Sequence, residues 1–138
     1  MNYFYLFLLS FLSISFTACE KAGNSSQEEE KDSLENLYKE IEELSISVVC
    51  EDAEEWDFTA IGSKACGGPT GYLAYSSGID TEDFLKKVAL YTELQDQYNK
   101  KWGIISDCMA LMPPNNVECV DGKPKLIYEN LNVSNYSE

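Results

Sequence analysis

The sequence predicts an α+β fold in which a small antiparallel sheet packs on one main amphipathic helix and disulfides staple the whole. Three observations carry that expectation. Apolar side chains recur every three or four residues from Phe84 to Trp102, the spacing of a helix face. Short runs elsewhere alternate apolar with polar residues, as half-buried strands do. Four cysteines flank that helix, Cys50 and Cys66 before it and Cys108 and Cys119 after it.

The chain opens on MNYFYLFLLSFLSISFTA, which holds no acidic or basic side chain and is apolar from Tyr3 to Phe16 apart from small serines. A membrane-spanning helix needs about 20 apolar residues, and this run gives way at Cys19 to Glu20, Lys21 and a polar tract. Residues 1–18 therefore read as a cleaved signal peptide. The tetrapeptide Phe16-Thr17-Ala18-Cys19 resembles the lipobox of bacterial lipoproteins. That resemblance implies diacylglycerol on the Cys19 thiol, cleavage after Ala18, a membrane as partner, and an address in the cell envelope at the outer membrane, facing the periplasm or the cell surface. The alternative is an ordinary signal peptide that leaves Cys19 an unpaired thiol.

Residues 20–31, EKAGNSSQEEEK, have little to bury, so 19–32 is expected to be a lipidated cysteine followed by a flexible acidic linker. From Ser33 the pattern changes. Leu34, Leu37, Tyr38, Ile41 and Leu44 predict a short helix over 33–44, with Asp32 and Glu35 placed like an N-cap and its capping-box partner. Ile46, Val48 and Cys50 fall on one face of an alternating run and predict a strand over 45–50. Trp56, Phe58 and Ala60 predict a second, and Tyr72 to Tyr75 a third beyond the glycine cluster. The principal helix is expected over 81–102, with Thr81 as N-cap, Glu82 and Asp83 at the positive end of the dipole, Lys100 and Lys101 at the negative end, and Gly103 just past it. Asp121-Gly122 between Val117–Val120 and Lys125–Tyr128 is a hairpin signal. One domain is expected over 33–128, then a polar tail over 129–138.

An even set of cysteines in an exported chain argues for two disulfides. Three connectivities are open. Local pairs, Cys50 with Cys66 and Cys108 with Cys119, are expected because each brackets a strand or turn whose ends could meet, and each would stabilise the fold by about 3 kcal/mol. Zinc is a poor competitor, since there is no CxxC pair and no histidine.

Function is constrained mainly by what is missing. With no His and no Arg, the chain lacks Ser-His and Cys-His pairs, imidazole acid–base chemistry and guanidinium clamps on phosphate. The net charge of −14 repels phosphate backbones, which argues against nucleic acid as partner, and attracts cationic proteins. Residues 20–60 carry 14 acids against three lysines, so the acidity lies mainly in the N-terminal third. A calcium site among Glu51, Asp52, Glu54, Glu55 and Asp57 is conceivable, although no EF-hand spacing is present. Adjacent acids such as Glu54 with Glu55 and Glu82 with Asp83 read first as solvated surface. No cofactor or resident metal is implied.

The segment Trp56-Asp-Phe-Thr-Ala-Ile-Gly-Ser-Lys-Ala-Cys-Gly-Gly-Pro69, with Tyr72, Tyr75, Ser106-Asp-Cys108 and Pro113-Pro-Asn-Asn-Val-Glu-Cys119, resembles small uncharacterised lipoproteins and secreted proteins of Bacteroidota. The resemblance covers about residues 48–128 and implies export and disulfides without implying an activity. Within it, Gly67, Gly68, Pro69, Thr70 and Gly71 form a candidate recognition loop, or else a tight connection into the following strand. The expected function is a non-enzymatic envelope lipoprotein, a binding or inhibitor-like module for an extracellular protein. A structural envelope lipoprotein without a dedicated ligand is the first alternative, and a hydrolase using two carboxylates is the weakest.

Overall fold

In the computed structural model, which describes residues 25–128, the first helix starts well before its apolar stripe. Helix α1 spans Gln27–Ser45 and is set by a capping box at Ser26. Ser26 Oγ accepts from the Glu29 amide at 3.2 Å, and Glu29 Oε2 accepts from the Ser26 amide at 2.9 Å. Residues 27–32, expected as flexible linker, are therefore helical, and Ser26 rather than Asp32 is the N-cap. The physical reason is twofold. Glu28, Glu29 and Glu30 complement the helix dipole, and Glu30 reaches across to the second helix.

No strand forms over 45–50. The serines that supplied the polar half of the alternation turn the chain instead: Ser45 Oγ donates to Glu42 O at 2.7 Å and Ser47 Oγ to Leu44 O at 2.8 Å. Ile46, Val48 and Val49 are left exposed and Cys50 is buried. Asp52 then caps a 3₁₀ turn, Ala53–Glu55, ahead of the first strand.

Strand β1, Trp56–Ile61, pairs antiparallel with β2, Gly71–Ser76, in the register Trp56 opposite Ser76 and Ile61 opposite Gly71. Helix α2 runs Thr81–Trp102, the span its periodicity predicts. Its N-cap is Asp80, one residue before the expected Thr81, with Asp80 Oδ1 accepting from the Asp83 amide at 3.0 Å. Gly103 ends it in the left-handed region at φ 61° and ψ 38°. Residues 104–115 have no regular structure. Strands β3, Asn116–Val120, and β4, Lys123–Ile127, close on the expected turn, where Asp121 and Gly122 both have positive φ.

Among the described residues the fold is α+β, with two two-stranded sheets where a single sheet was expected. The helices run antiparallel, as Glu40 beside Lys87 and Glu30 beside Trp102 require. Between them and the β1–β2 hairpin lies one core of Ile41, Ile61, Phe84, Val88 and Tyr91, with Tyr75 stacked 5.0 Å from Phe84 and Tyr38 5.4 Å from Tyr91. A second core joins the two hairpins through the side chains of Cys50, Trp56, Ala74 and Val117.

The disulfide in that second core corrects the expected pairing. Cys50 is bonded to Cys119, 69 residues away, with a Cα–Cα distance of 5.3 Å; it is not bonded to Cys66, nor is Cys108 bonded to Cys119. The Cys50 amide donates to Gly122 O at 2.9 Å, which seats residue 50 on the β3–β4 turn beside Cys119. Cys66 instead follows the far end of β1 from Trp56, the residue that packs with Cys50. Cys19, the signal segment and residues 20–24 of the linker lie outside the described residues, as does the tail 129–138.

Candidate functional site

The loop between β1 and β2 is built on a polar ledge supplied by α2. Thr92, Gln95 and Asn99 share one helix face, and each holds the stem of the loop. The Gly62 amide donates to Thr92 Oγ1 at 3.0 Å, the Ser63 amide to Gln95 Oε1 at 2.7 Å, and Asn99 Nδ2 to Ser63 O at 2.7 Å. Gly62 bends the chain at φ 78°, and any Cβ there would collide with the Thr70 side chain. Thr70 closes the stem from the other side, both its amide and its hydroxyl donating to Ile61 O at 3.0 Å.

Above the stem the loop ties itself. The Lys64 amide donates to Gly68 O and the Gly67 amide to Lys64 O, each at 2.9 Å. Gly67 and Gly68 have φ of 94° and 83°, values that L side chains rarely adopt, and nothing lies within 4 Å of where a Cβ would be. The crest is thus fixed in shape and open to solvent. Of the expected recognition residues, Gly67, Gly68 and Thr70 are exposed, Pro69 is half-buried, and Gly71 opens β2.

The expected staple through Cys50 does not hold this loop; Lys64 does. Its ammonium donates to Asp107 Oδ1 at 2.7 Å and to Met109 O at 2.8 Å, and the side chain is only 12 % exposed. Both acceptors belong to the irregular strap 104–115, so loop and strap form one continuous surface, with a concavity of about 300 Å³ between them lined by Lys64, Asn99, Ile104 and Asp107 among others. The strap carries apolar side chains outward. Ile105 is 93 % exposed, Met109 72 % and Met112 63 %, and Leu111 is exposed beside them. Pro114, by contrast, is buried and anchors the far end ahead of β3.

The strap is the part of the surface that the sequence reading passed over. A usable signal was there: apolar residues at 104, 105, 109, 111 and 112, with neither helical nor alternating period, bounded by Gly103 and Pro113-Pro114.

Cys66 and Cys108 are both exposed thiols, one on the loop and one on the strap. Cys66 Sγ lies 3.4 Å from Ser106 Oγ and 3.4 Å from Asp107 O. A hydrogen bond from the Cys108 thiol, then one from Ser106, holds the Cys66 thiol below its ordinary range, and the same sulfur–sulfur contact pushes Cys108 up.

The acidic segment 51–57 does not converge on a cation. Asp52 is used as a cap, and Asp57 accepts from the Phe58 amide at 2.7 Å and from the Tyr75 hydroxyl at 3.3 Å. Among the described residues no three His, Cys, Asp or Glu side chains gather where they could hold a metal ion. Glu82 is paired with Lys86 at 2.6 Å. A separate groove of about 340 Å³ between the helices is lined by Glu30, Leu34, Leu94, Tyr98 and Lys101. There Glu30 accepts from Lys101, from Ser25 and, at 2.8 Å, from the Trp102 indole. The Lys101 hydrogen bond, followed by those from Ser25 and Trp102, lowers its carboxyl to about 2. A proton-donating acid would need the opposite shift.

Among the described residues no helix is long and apolar enough to cross a membrane. No family model, no curated protein and no solved structure is similar enough to this chain to count as a match.

Proposed function

We propose that this chain is an exported, lipid-anchored binding module without catalytic activity, and that its recognition face is the loop 62–71 together with the strap 104–115. The partner is an extracellular protein with a basic surface and an apolar patch. One observation carries the reading: a run of outward apolar side chains, Ile105, Met109, Leu111 and Met112, is held against a fixed glycine loop. Exposed apolar clusters on a monomer mark interaction surfaces, methionine adapts well to partner surfaces, and a loop already tied in place loses little entropy on binding. The net charge of −14 supports a basic partner, because opposite charge raises encounter rates. The lipobox-like Phe16–Cys19 segment supports the anchor, which diacylglycerol on Cys19 would supply.

The test is site-specific photo-crosslinking in cells that export the full chain, with the reactive group at Met109 and, as control, at the exposed Leu90 of α2. Crosslinking from 109 to one discrete protein, weakened by added salt and not seen from 90, is the expected result. Equal crosslinking from both positions, or none from 109, overturns the recognition face and leaves a structural envelope role. The anchor is tested separately: Cys19→Ala should release the protein from membranes and abolish labelling by palmitate.

A further inference from the structure

We propose that Cys66 and Cys108 form a dithiol site that closes a second disulfide by exchange with a disulfide-bearing oxidant, joining the glycine loop covalently to the strap.

Placement carries it. The two thiols come from segments 42 positions apart in the chain, and both lie where the loop meets the strap. Cys66 Sγ sits against the backbone that leads into Cys108, 3.4 Å from Asp107 O and 3.9 Å from Ser106 O. Lys64 grips the strap on both sides of Cys108, through the Asp107 carboxylate at 2.7 Å and the Met109 carbonyl at 2.8 Å. Bringing the sulfurs to the roughly 2.05 Å of an S–S bond moves the strap, which has no regular structure and lies outside both cores. Both thiols are exposed, so an oxidant can reach them.

The surroundings also assign the roles. Cys66, whose thiolate is favoured by the Cys108 and Ser106 hydrogen bonds and by the Lys64 charge, is the attacking sulfur; Cys108, held protonated beside it, resolves. The Cys66 thiolate attacks one sulfur of an oxidant RSSR, forming a mixed disulfide and breaking the RS–SR bond, and the released RS⁻ takes up the proton that Cys66 gave up. Cys108 then loses its proton, and its sulfur attacks Cys66 Sγ, expelling the second RS⁻, which takes that proton. Two protein thiols are oxidised by two electrons in total, and RSSR is reduced to two RSH. The new bridge nests inside Cys50–Cys119 in sequence.

The experiment uses the full chain carrying Cys19→Ser, with further Cys66→Ser or Cys108→Ser changes, equilibrated in buffers of reduced and oxidised glutathione and mapped without reduction. Expected are a Cys66–Cys108 peptide alongside an intact Cys50–Cys119 peptide, in a monomer. In the reduced protein with both thiols present, sub-stoichiometric iodoacetamide should label Cys66 several-fold faster than Cys108, and in either serine variant the remaining thiol should stay unpaired with Cys50 or Cys119. Retention of the Cys50–Cys119 bridge and of helical circular dichroism shows that each variant is folded. The proposal is overturned if both thiols remain alkylatable in oxidised glutathione, if either joins Cys50, Cys119 or a second copy, or if Cys108 reacts the faster.

Discussion

Lys64 holds Asp107 at 2.7 Å across 43 positions of sequence while its own side chain is nearly out of solvent. Asp107 itself is largely exposed, so the pair has a wet side and a dry side. Such a pair adds little to global stability; its effect is to fix where the strap lies. Lys64→Met should therefore cost about 1 kcal/mol in a denaturant melt. Limited proteolysis within residues 104–112 should meanwhile accelerate at least tenfold, with α2 left uncut. Equal cleavage of parent and variant would show that the strap is held by something else.

Cys50–Cys119 closes a span of 69 residues, and the chain-entropy model gives such a loop about 4 kcal/mol of stabilisation. Replacing both cysteines by alanine should lower unfolding free energy by that order, with loss of the contact between the two hairpins first. A loss below about 1 kcal/mol would mean that Trp56, Ala74 and Val117 hold the hairpins together without the bridge.

Gly68 takes φ 83° on an open crest, so Gly68→Val is strained by its backbone and not by any neighbour. The expected cost is about 1–2 kcal/mol, confined to the loop: exchange at residues 64–68 should rise while the α1–α2 core stays protected. Gly62→Ala should be worse, because positive φ is compounded there by collision with Thr70. The reverse ranking in thermal melts would contradict this description of the loop.

How far these features could be read from the chain differs by element. Helix α2 was legible end to end because seven apolar residues keep one period and both ends carry their own signals. The Asp121-Gly122 turn was legible for a similarly local reason, two residues that accept positive φ. The start of α1 was misplaced because Ser26 and Glu29 carry the cap but no apolar stripe, and the tertiary partner of Glu30 lies 72 positions away at Trp102. Ser45–Cys50 mimicked a strand because serine fits the polar half of an alternation as easily as it turns a helix end. The pairing of Cys50 with Cys119 depended on how the two hairpins pack, which no local spacing encodes. The loop at 67–71 was visible through its glycines, whereas the strap left only a weaker signal, apolar residues such as Ile105, Met109 and Met112 that follow no period and so mark neither a helix nor a strand.

The Glu30 carboxyl falls from its ordinary 4.5 to about 2, first through Lys101 and then through Ser25 and Trp102. With the folded value below the unfolded one, its contribution is complete above about pH 4.5 and is lost as the pH drops towards 2. Trp102 fluorescence and the helicity of the start of α1 should both report loosening in that window, and Glu30→Gln should remove the transition. A variant with the parent's acid profile would place the titration on other carboxylates.

The central claim is that the loop and strap together serve recognition and not folding, and a paired measurement on Ile105→Ser/Met109→Ser tests it most directly. Both side chains lie mostly in solvent, Ile105 almost wholly, so the double variant should melt within about a degree of the parent. Its capture of the protein crosslinked from the Met109 position should fall at least tenfold, with capture by a Leu90→Ser control unchanged. An unaltered capture at an unaltered melting temperature would contradict the claim, as would a fall of several degrees in melting temperature that accounts for the loss of binding.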